Sequence, residues 1–170
     1  GTRWGLGKLA ADGAKEVRPF GDGFHTSAPG GLLMAHSLLV GLKEPAVVSD
    51  VSMDAAKSEA KGDHVKVTNL KVSDKEISFE RSDEALPIPV QKDWVTLLPY
   101  LSNLKDFNYY GLKVTGLTGK NYKLTIDGKE IATIPATDLA SGTNLGNLTT
   151  GPIFEQSQKV FEAIRNKNNF

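Results

Sequence analysis

The chain contains no cysteine in its 170 residues. Disulfides, thiolate metal sites and cysteine nucleophiles are therefore excluded, while the compartment stays open. It also lacks any excess of charge: Lys plus Arg number 20, Asp plus Glu number 20, and the net charge is zero. With no basic surplus to neutralise phosphates, nucleic-acid binding is not expected. Zero net charge also predicts reduced solubility near pH 7. No apolar run approaches the roughly 20 residues that span a bilayer. The longest, Leu32 to Leu42, is interrupted by His36, Ser37 and Gly41 and reads as a buried helix. The stretch Gly1 to Lys8 has no apolar core of the signal-peptide kind. Gly1 in place of an initiator Met implies a processed or truncated product, and a targeting segment would have been lost with the missing part. There is no internal repeat and no low-complexity tract.

The length suits one domain, or a small domain with a fragment of another, at about 100–200 residues per domain. Hydrophobic residues at 39% and charged residues at 24% are enough for a packed core. Four blocks follow one another. Residues 1–21 are glycine-rich, and Lys8 to Val17 is expected to form a short helix or an irregular arm. Residues 22–45 read as a loop and a helix. Thr26 and Ser27 are N-cap candidates, Pro29 is tolerated in the first turn, and Gly41 is the expected C-terminal cap before Pro45. Leu32, Leu33, His36, Leu39 and Val40 fall at helical spacing, with Met34, Ala35 and Leu38 on the other side, so the helix is expected to be buried on most faces.

Residues 46–135 read as mainly β. Val47 to Met53 alternates in part. Val65 and Val67 alternate, then Leu70 and Val72 take the opposite phase after Asn69, which predicts a bulge. With Ile77 and Phe79 alternating beyond the Ser73-Asp74-Lys75 turn, residues 64–81 predict a hairpin. Leu86-Pro87-Ile88-Pro89 must be extended or an edge. Trp94 to Leu104 predicts a short helix kinked or ended by Pro99. Leu112, Val114 and Leu117 predict a strand, and Asp127-Gly128 between alternating apolar runs predicts a second hairpin. In residues 136–170, a helical turn at Thr137 to Ala140 precedes a polar loop. A terminal helix then opens at Pro152, with Ile153, Val160, Phe161 and Ile164 on its inner face and frayed ends over Asn166 to Phe170. The fold class predicted is α+β: a buried helix near the start, a twisted antiparallel sheet of about five to seven strands, and a closing C-terminal helix.

The strongest chemical signal is Asp22-Gly23-Phe24-His25 just ahead of the Leu32–Leu42 helix. In serine hydrolysis a His takes the serine proton, and a carboxylate on its other ring nitrogen fixes the tautomer. A separation of three residues on a tight loop lets the two side chains reach that arrangement. The bland alternative is an Asp that caps the turn beside a His packed on the helix. Among the other histidines, His36 reads as a hydrogen-bonded core or interface residue and His64, beside Asp63, as exposed. The three match no metal motif. Asp50, Asp54, Asp63 and Asp83 are scattered, so no metal and no cofactor are expected. Trp94, Tyr100, Phe107, Tyr109 and Tyr110 form an aromatic cluster. Trp94, Tyr100, Tyr109 and Tyr110 could stack on sugar faces, the alternative being a core for the β block.

The stretch Asp22-Gly23-Phe24-His25-Thr26-Ser27-Ala28-Pro29-Gly30-Gly31-Leu32-Leu33-Met34-Ala35 resembles the last conserved block of the SGNH (GDSL-type) hydrolases. Asp22, His25, Gly30 and the Met-Ala pair match. Thr26 stands where proline is usual, Ser27 where asparagine is common, and Gly31 where a second His often sits. Later segments resemble the C-terminal extension of a bacterial exported subgroup: Leu86-Pro87-Ile88-Pro89, Tyr110 to Leu117, Tyr122 to Lys129 and Leu139 to Leu145. The nucleophile motif Gly-Asp-Ser is absent, and the nearest string, Gly21-Asp22-Gly23, has no serine. Asn103, Asn108 and Asn121 lie on the wrong side of His25 for the family's oxyanion blocks.

The resemblance implies residues 1–45 as the end of a hydrolase domain and 46–170 as a β-rich extension, from a parent with a three-layer α/β fold. It implies an exported serine esterase whose complete form cleaves an ester through an acyl-enzyme, with an acetylated carbohydrate among the substrates in view. Its partner would be the N-terminal part of the same enzyme, and this chain alone would be inactive. The alternatives are a non-catalytic β-rich module that binds a glycan or a partner, and a homo-oligomer formed through the Leu32–Leu42 helix.

Overall fold

Ser27 starts the first helix described here. Its hydroxyl accepts a hydrogen bond from the Gly30 N–H at 3.2 Å, and Pro29 lies in the first turn, where a missing N–H leaves no bond unmade. The computed structural model describes Phe20 and residues 22–168. The expected element at Lys8 to Val17 and the last two residues of the expected frayed end lie outside them.

The elements in order are α1 (Ala28–Leu42), β1 (Val47–Asp54), β2 (Glu59–Asp63), β3 (Val65–Val72) and β4 (Ile77–Asp83). A 3-10 segment follows at Lys92–Leu104, then β5 (Tyr109–Thr115), β6 (Asn121–Ile126), β7 (Lys129–Pro135), α2 (Ala136–Ser141), β8 (Thr143–Asn144) and α3 (Pro152–Asn168). The protein is α+β. Both hairpins read from the sequence form: β3 pairs with β4, and β6 with β7 across Asp127-Gly128. The phase change at Asn69 is a bulge, with a register shift between Thr68 and Lys71 and Asn69 in the left-handed region at φ 55°.

Four expectations are corrected. The strands do not build one antiparallel sheet. They form a four-stranded sheet in the order β2-β1-β5-β8 and two separate hairpins, and β1 runs parallel to β5. The long β1-to-β5 connection makes this possible, because a parallel pair needs a crossover rather than a tight turn. Second, α1 is buried on one face only, through Gly30, Leu32, Leu33 and His36, while Met34, Leu38 and Leu42 are more than half exposed. Third, α1 ends at Lys43 in the left-handed conformation, its N–H reaching the carbonyls of Leu39 and Val40, so Gly41 lies inside the helix. Fourth, α3 buries Ile153 and Ser157, whereas Val160 and Ile164 face outward.

Two cores result. In the larger, Val51 and Met53 of β1 and Leu112 and Val114 of β5 meet Ile134, Leu139 and Ile153, with the inner faces of both hairpins packed against them. In the smaller, Leu32 and Leu33 of α1 pack on Leu97, Leu98, Leu101 and Leu104 of the 3-10 segment. Two asparagines join these parts. Asn144 accepts from the N–H groups of Tyr110 and Gly146 and donates to the carbonyls of Asn103 and Asn108. Asn108 bonds both backbone groups of Ile88, which holds the Leu86–Pro89 segment extended, as its prolines require.

The corner between β2 and β3 has little room. A Cβ on Gly62 would stand 2.1 Å from the Val65 carbonyl oxygen, a backbone atom that cannot swing aside, and His64 in the same corner has φ 55°. Gly62→Ala is expected to cost about 1–3 kcal/mol of stability, the usual range for overpacking. Gly41→Ala, in open helical surroundings, is expected to add about 0.5–1 kcal/mol. Urea unfolding of both variants checks the contrast, and an unchanged midpoint for Gly62→Ala would contradict it.

Candidate active site

The loop ahead of α1 is organised by one carboxylate. Asp22 Oδ1 accepts the backbone N–H of Phe24 at 2.9 Å and of His25 at 2.7 Å. Its Oδ2 bonds His25 Nδ1 at 2.7 Å. An Asp that accepts from the backbone two and three residues on closes its own turn. Gly23 adopts φ 82° within that turn, where a side chain would be strained. A single bridge between Phe20 and Thr26 ties the base of the loop, and Ser27 then caps α1. The pair is thus fixed by two neighbouring elements, a self-bonded turn and a capped helix.

Of the readings the sequence offered for Asp22, its turn-closing role is seen at Oδ1, while Oδ2 holds the His25 ring. The side chains of His25 and Asp22 are 82% and 58% exposed, so the pair sits on the surface. Hydrogen bonds from the His25 ring and from the His25 and Phe24 backbone hold the Asp22 carboxyl down to about 2, against an ordinary 3.8. A carboxylate can only accept, so Nδ1 is the nitrogen that donates to it, and Nε2 makes no hydrogen bond to a described residue. That is the arrangement of a general base with its orienting acid, open on the side where a reacting hydroxyl would stand. No serine or oxyanion donor of the described residues is hydrogen-bonded to it.

A depressed carboxyl stabilises the folded loop above its unfolded value, and that contribution is lost as pH falls from about 4 towards about 2. Carbon-13 titration of the Asp22 carboxyl is expected to give a midpoint near 2. In His25→Ala the midpoint should rise towards the ordinary value. A midpoint near 3.8 in the unaltered protein would mean that the ring bond does not persist in solution.

The aromatic residues do not assemble into one surface. Tyr110 is 2% exposed and offers no ring face to a sugar, which corrects its place among stacking residues. Trp94 and Tyr100 pack against the smaller core, and Tyr109 is half-buried in β5. His36 is buried, with Nε2 at 2.9 Å from Asp106 and Nδ1 unpartnered. His64 is exposed. The Glu84 carboxylate at 3.0 Å and nearby Asp63 raise its pKa. Among the described residues, no group of three His, Asp or Glu is placed to hold a metal ion, and no helix is long and apolar enough to cross a membrane.

Sequence reasoning missed a second cluster. Asp83 accepts from Ser49, Tyr110 and Arg81, with Arg81 Nη2 to Asp83 Oδ1 at 2.7 Å. Arg81 Nη2 also donates to Ser49 at 2.8 Å, and the guanidinium lies 4.1 Å from the Tyr110 ring centre. Burial pushes the Asp83 carboxyl up, but the bonds from Arg81, Ser49 and Tyr110 prevail and leave it low. Burial, followed by the bond to Asp83, pushes the Tyr110 phenol up. A signal was present. The inward phase of Ile77 and Phe79 continues to Arg81 and Asp83, which puts opposite charges on the core side of one strand. All the groups are satisfied by one another, so the cluster reads as an internal clamp.

No protein-family model matches the chain, and no curated protein does. Among solved structures, it is similar to BT4096, a gut microbial diltiazem-metabolizing enzyme, at 28% identity and a TM-score of 0.78. The match covers 97% of this chain and 39% of the other. The chain therefore spans about two-fifths of the length of the enzyme it resembles.

Proposed function

We propose that this chain is the C-terminal part of an SGNH-type serine esterase and contributes Asp22 and His25 to an active site completed by residues outside these 170. The observation that carries the reading is the Asp22–His25 pair itself, bonded through Nδ1 at 2.7 Å with the His25 side chain 82% exposed. Two further observations support it. The similar solved protein is much longer than this chain and is a diltiazem-metabolizing enzyme. On α1, directly behind the pair, Met34, Leu38 and Leu42 recur at a spacing of four and form an exposed apolar stripe, the kind of surface that another part of a protein covers.

In this reading His25 Nε2 takes the proton of a serine hydroxyl as that oxygen attacks the ester carbonyl. The protonated ring is stabilised by ionised Asp22 and returns the proton to the departing alcohol. The second half of the cycle repeats the transfer with water and releases the acid. Asp22 stays a carboxylate throughout. The test is to express the longer protein and to assay p-nitrophenyl acetate hydrolysis and labelling of its serine by a fluorophosphonate. Hydrolysis and labelling are expected from the longer protein and neither from this chain. A longer protein that does neither would sink the proposal.

A further inference from the structure

The two hairpins lie over the same face of the four-stranded sheet but do not join each other. Among the described residues, β4 pairs only with β3 and β6 only with β7. The edges of β4 and β6 both line one groove of about 1540 Å³, whose floor is Leu112 and Val114 of β5. The side chains that should be the inner face of this second layer, Ile77, Phe79, Tyr122 and Leu124, are only half-buried, whereas the floor beneath them is buried. An unpaired edge presents a row of free N–H and C=O groups, which native sheets ordinarily cover or blunt. Here two such edges border one apolar-floored groove. Its charge is uneven in a chain of zero net charge. With Arg81 and Asp83 paired, Asp74, Glu76, Glu80, Glu84 and Asp127 outnumber Lys75 and Lys123 along the lining.

We propose that the groove between β4 and β6 takes an extended segment of a partner polypeptide, apolar and basic side chains alternating along it, as an added strand. The added backbone bonds the free edge groups. Its apolar side chains point down to Leu112 and Val114, and its basic ones face out to Glu76 and Glu80, because alternate side chains of a strand point to opposite faces. Small ligands fill pockets of roughly 300–1,000 Å³, so this volume suits a length of chain better than a compact molecule. The inference is independent of Asp22 and His25.

The probe is an end-capped peptide of alternating valine and arginine, about eight residues long, the length of a strand. Titrated into this chain, it is expected to bind saturably and to protect β4 and β6 amides from hydrogen exchange. The same peptide N-methylated at alternate amides should bind at least about tenfold more weakly, because it cannot extend a ladder. The double variant E76K/E80K, both sites being exposed, should weaken binding about tenfold with thermal stability unchanged. Absence of binding, equal binding of the methylated peptide, or protection elsewhere overturns the proposal. Two other results overturn it in favour of a different occupant. A peptide-free dimer that the peptide dissociates would assign the groove to a second copy, and binding to this chain but not to the longer protein would assign it to another segment of that protein.

Discussion

His25→Ala in the longer protein is expected to reduce ester hydrolysis by roughly 10⁴–10⁶-fold, the range for removing the base of a serine triad. The remaining rate would come from oxyanion stabilisation and substrate binding alone. Asp22 offers a finer test because its two oxygens are separable. In Asp22→Asn the side-chain carbonyl can keep accepting the Phe24 and His25 N–H groups that Oδ1 accepts now, so the turn survives. The amide NH₂ then faces Nδ1, where it can only donate, and this forces the ring proton onto Nε2. That tautomer cannot take a proton from serine, so the rate is expected to fall roughly 10⁴-fold. Asp22→Ala removes both functions and should also loosen the loop, visible as faster exchange at the amides of Phe24 and His25. If Asp22→Asn retains full activity while the loop is intact, the carboxylate has only its turn-closing role.

Asp83→Ala is expected to have the largest effect on stability, about 3–5 kcal/mol. Arg81 and Asp83 are only 15% and 11% exposed. Losing the carboxylate leaves a guanidinium, the Tyr110 hydroxyl and the Ser49 hydroxyl without their common acceptor. Breaking a buried pair costs more than the pair contributes, because the surviving charge is left uncompensated. Domains have a total stability of about 5–15 kcal/mol, so the variant would lose a large fraction of it. Replacing both partners, as in Arg81→Met with Asp83→Leu, is expected to cost less than Asp83→Ala, because no charge is left buried, although the Ser49 and Tyr110 hydroxyls still lose their acceptor. The clamp also has a pH signature. With the folded carboxyl depressed, its contribution is full above the ordinary carboxylate range and is lost as pH falls through the lower folded value. Denaturant midpoints of the single and double variants, taken at pH 7 and in acid, decide the matter. An Asp83→Ala protein within about 1 kcal/mol of the parent would show that water reaches the pair freely.

The local parts of the fold were legible because local chemistry determines them. Asp127-Gly128, the phase slip at Asn69 and Pro152 each act within a few residues, and each does in the structure what its residue type requires. The α1 helix was located correctly but its burial was overestimated, since apolar residues on several sides of a helix do not require that each side be covered. The parallel pairing of β1 with β5 could not be read. Both strands look alike whichever way the neighbour runs, and the choice is made by a crossover of many residues. The Asp22–His25 geometry was legible because both partners sit on one turn. The Ser49–Arg81–Asp83–Tyr110 cluster draws on three strands, and only the misplaced charges in the phase of β4 announced it.

The parallel pair also sets an order of events. Thr115 Oγ1 bonds the Met53 carbonyl at 3.1 Å across a separation of 62 residues. Each hairpin needs only its own few-residue turn and can form on the microsecond scale, whereas β1 and β5 meet only after the whole intervening chain has been drawn into a loop. Non-local pairing of this kind slows folding. Both hairpins would therefore be made while the sheet that is to carry them is still open. During that interval, the apolar faces of β4 and β6 have nothing beneath them, and they are the surfaces on which a newly made chain would first stick to its neighbours.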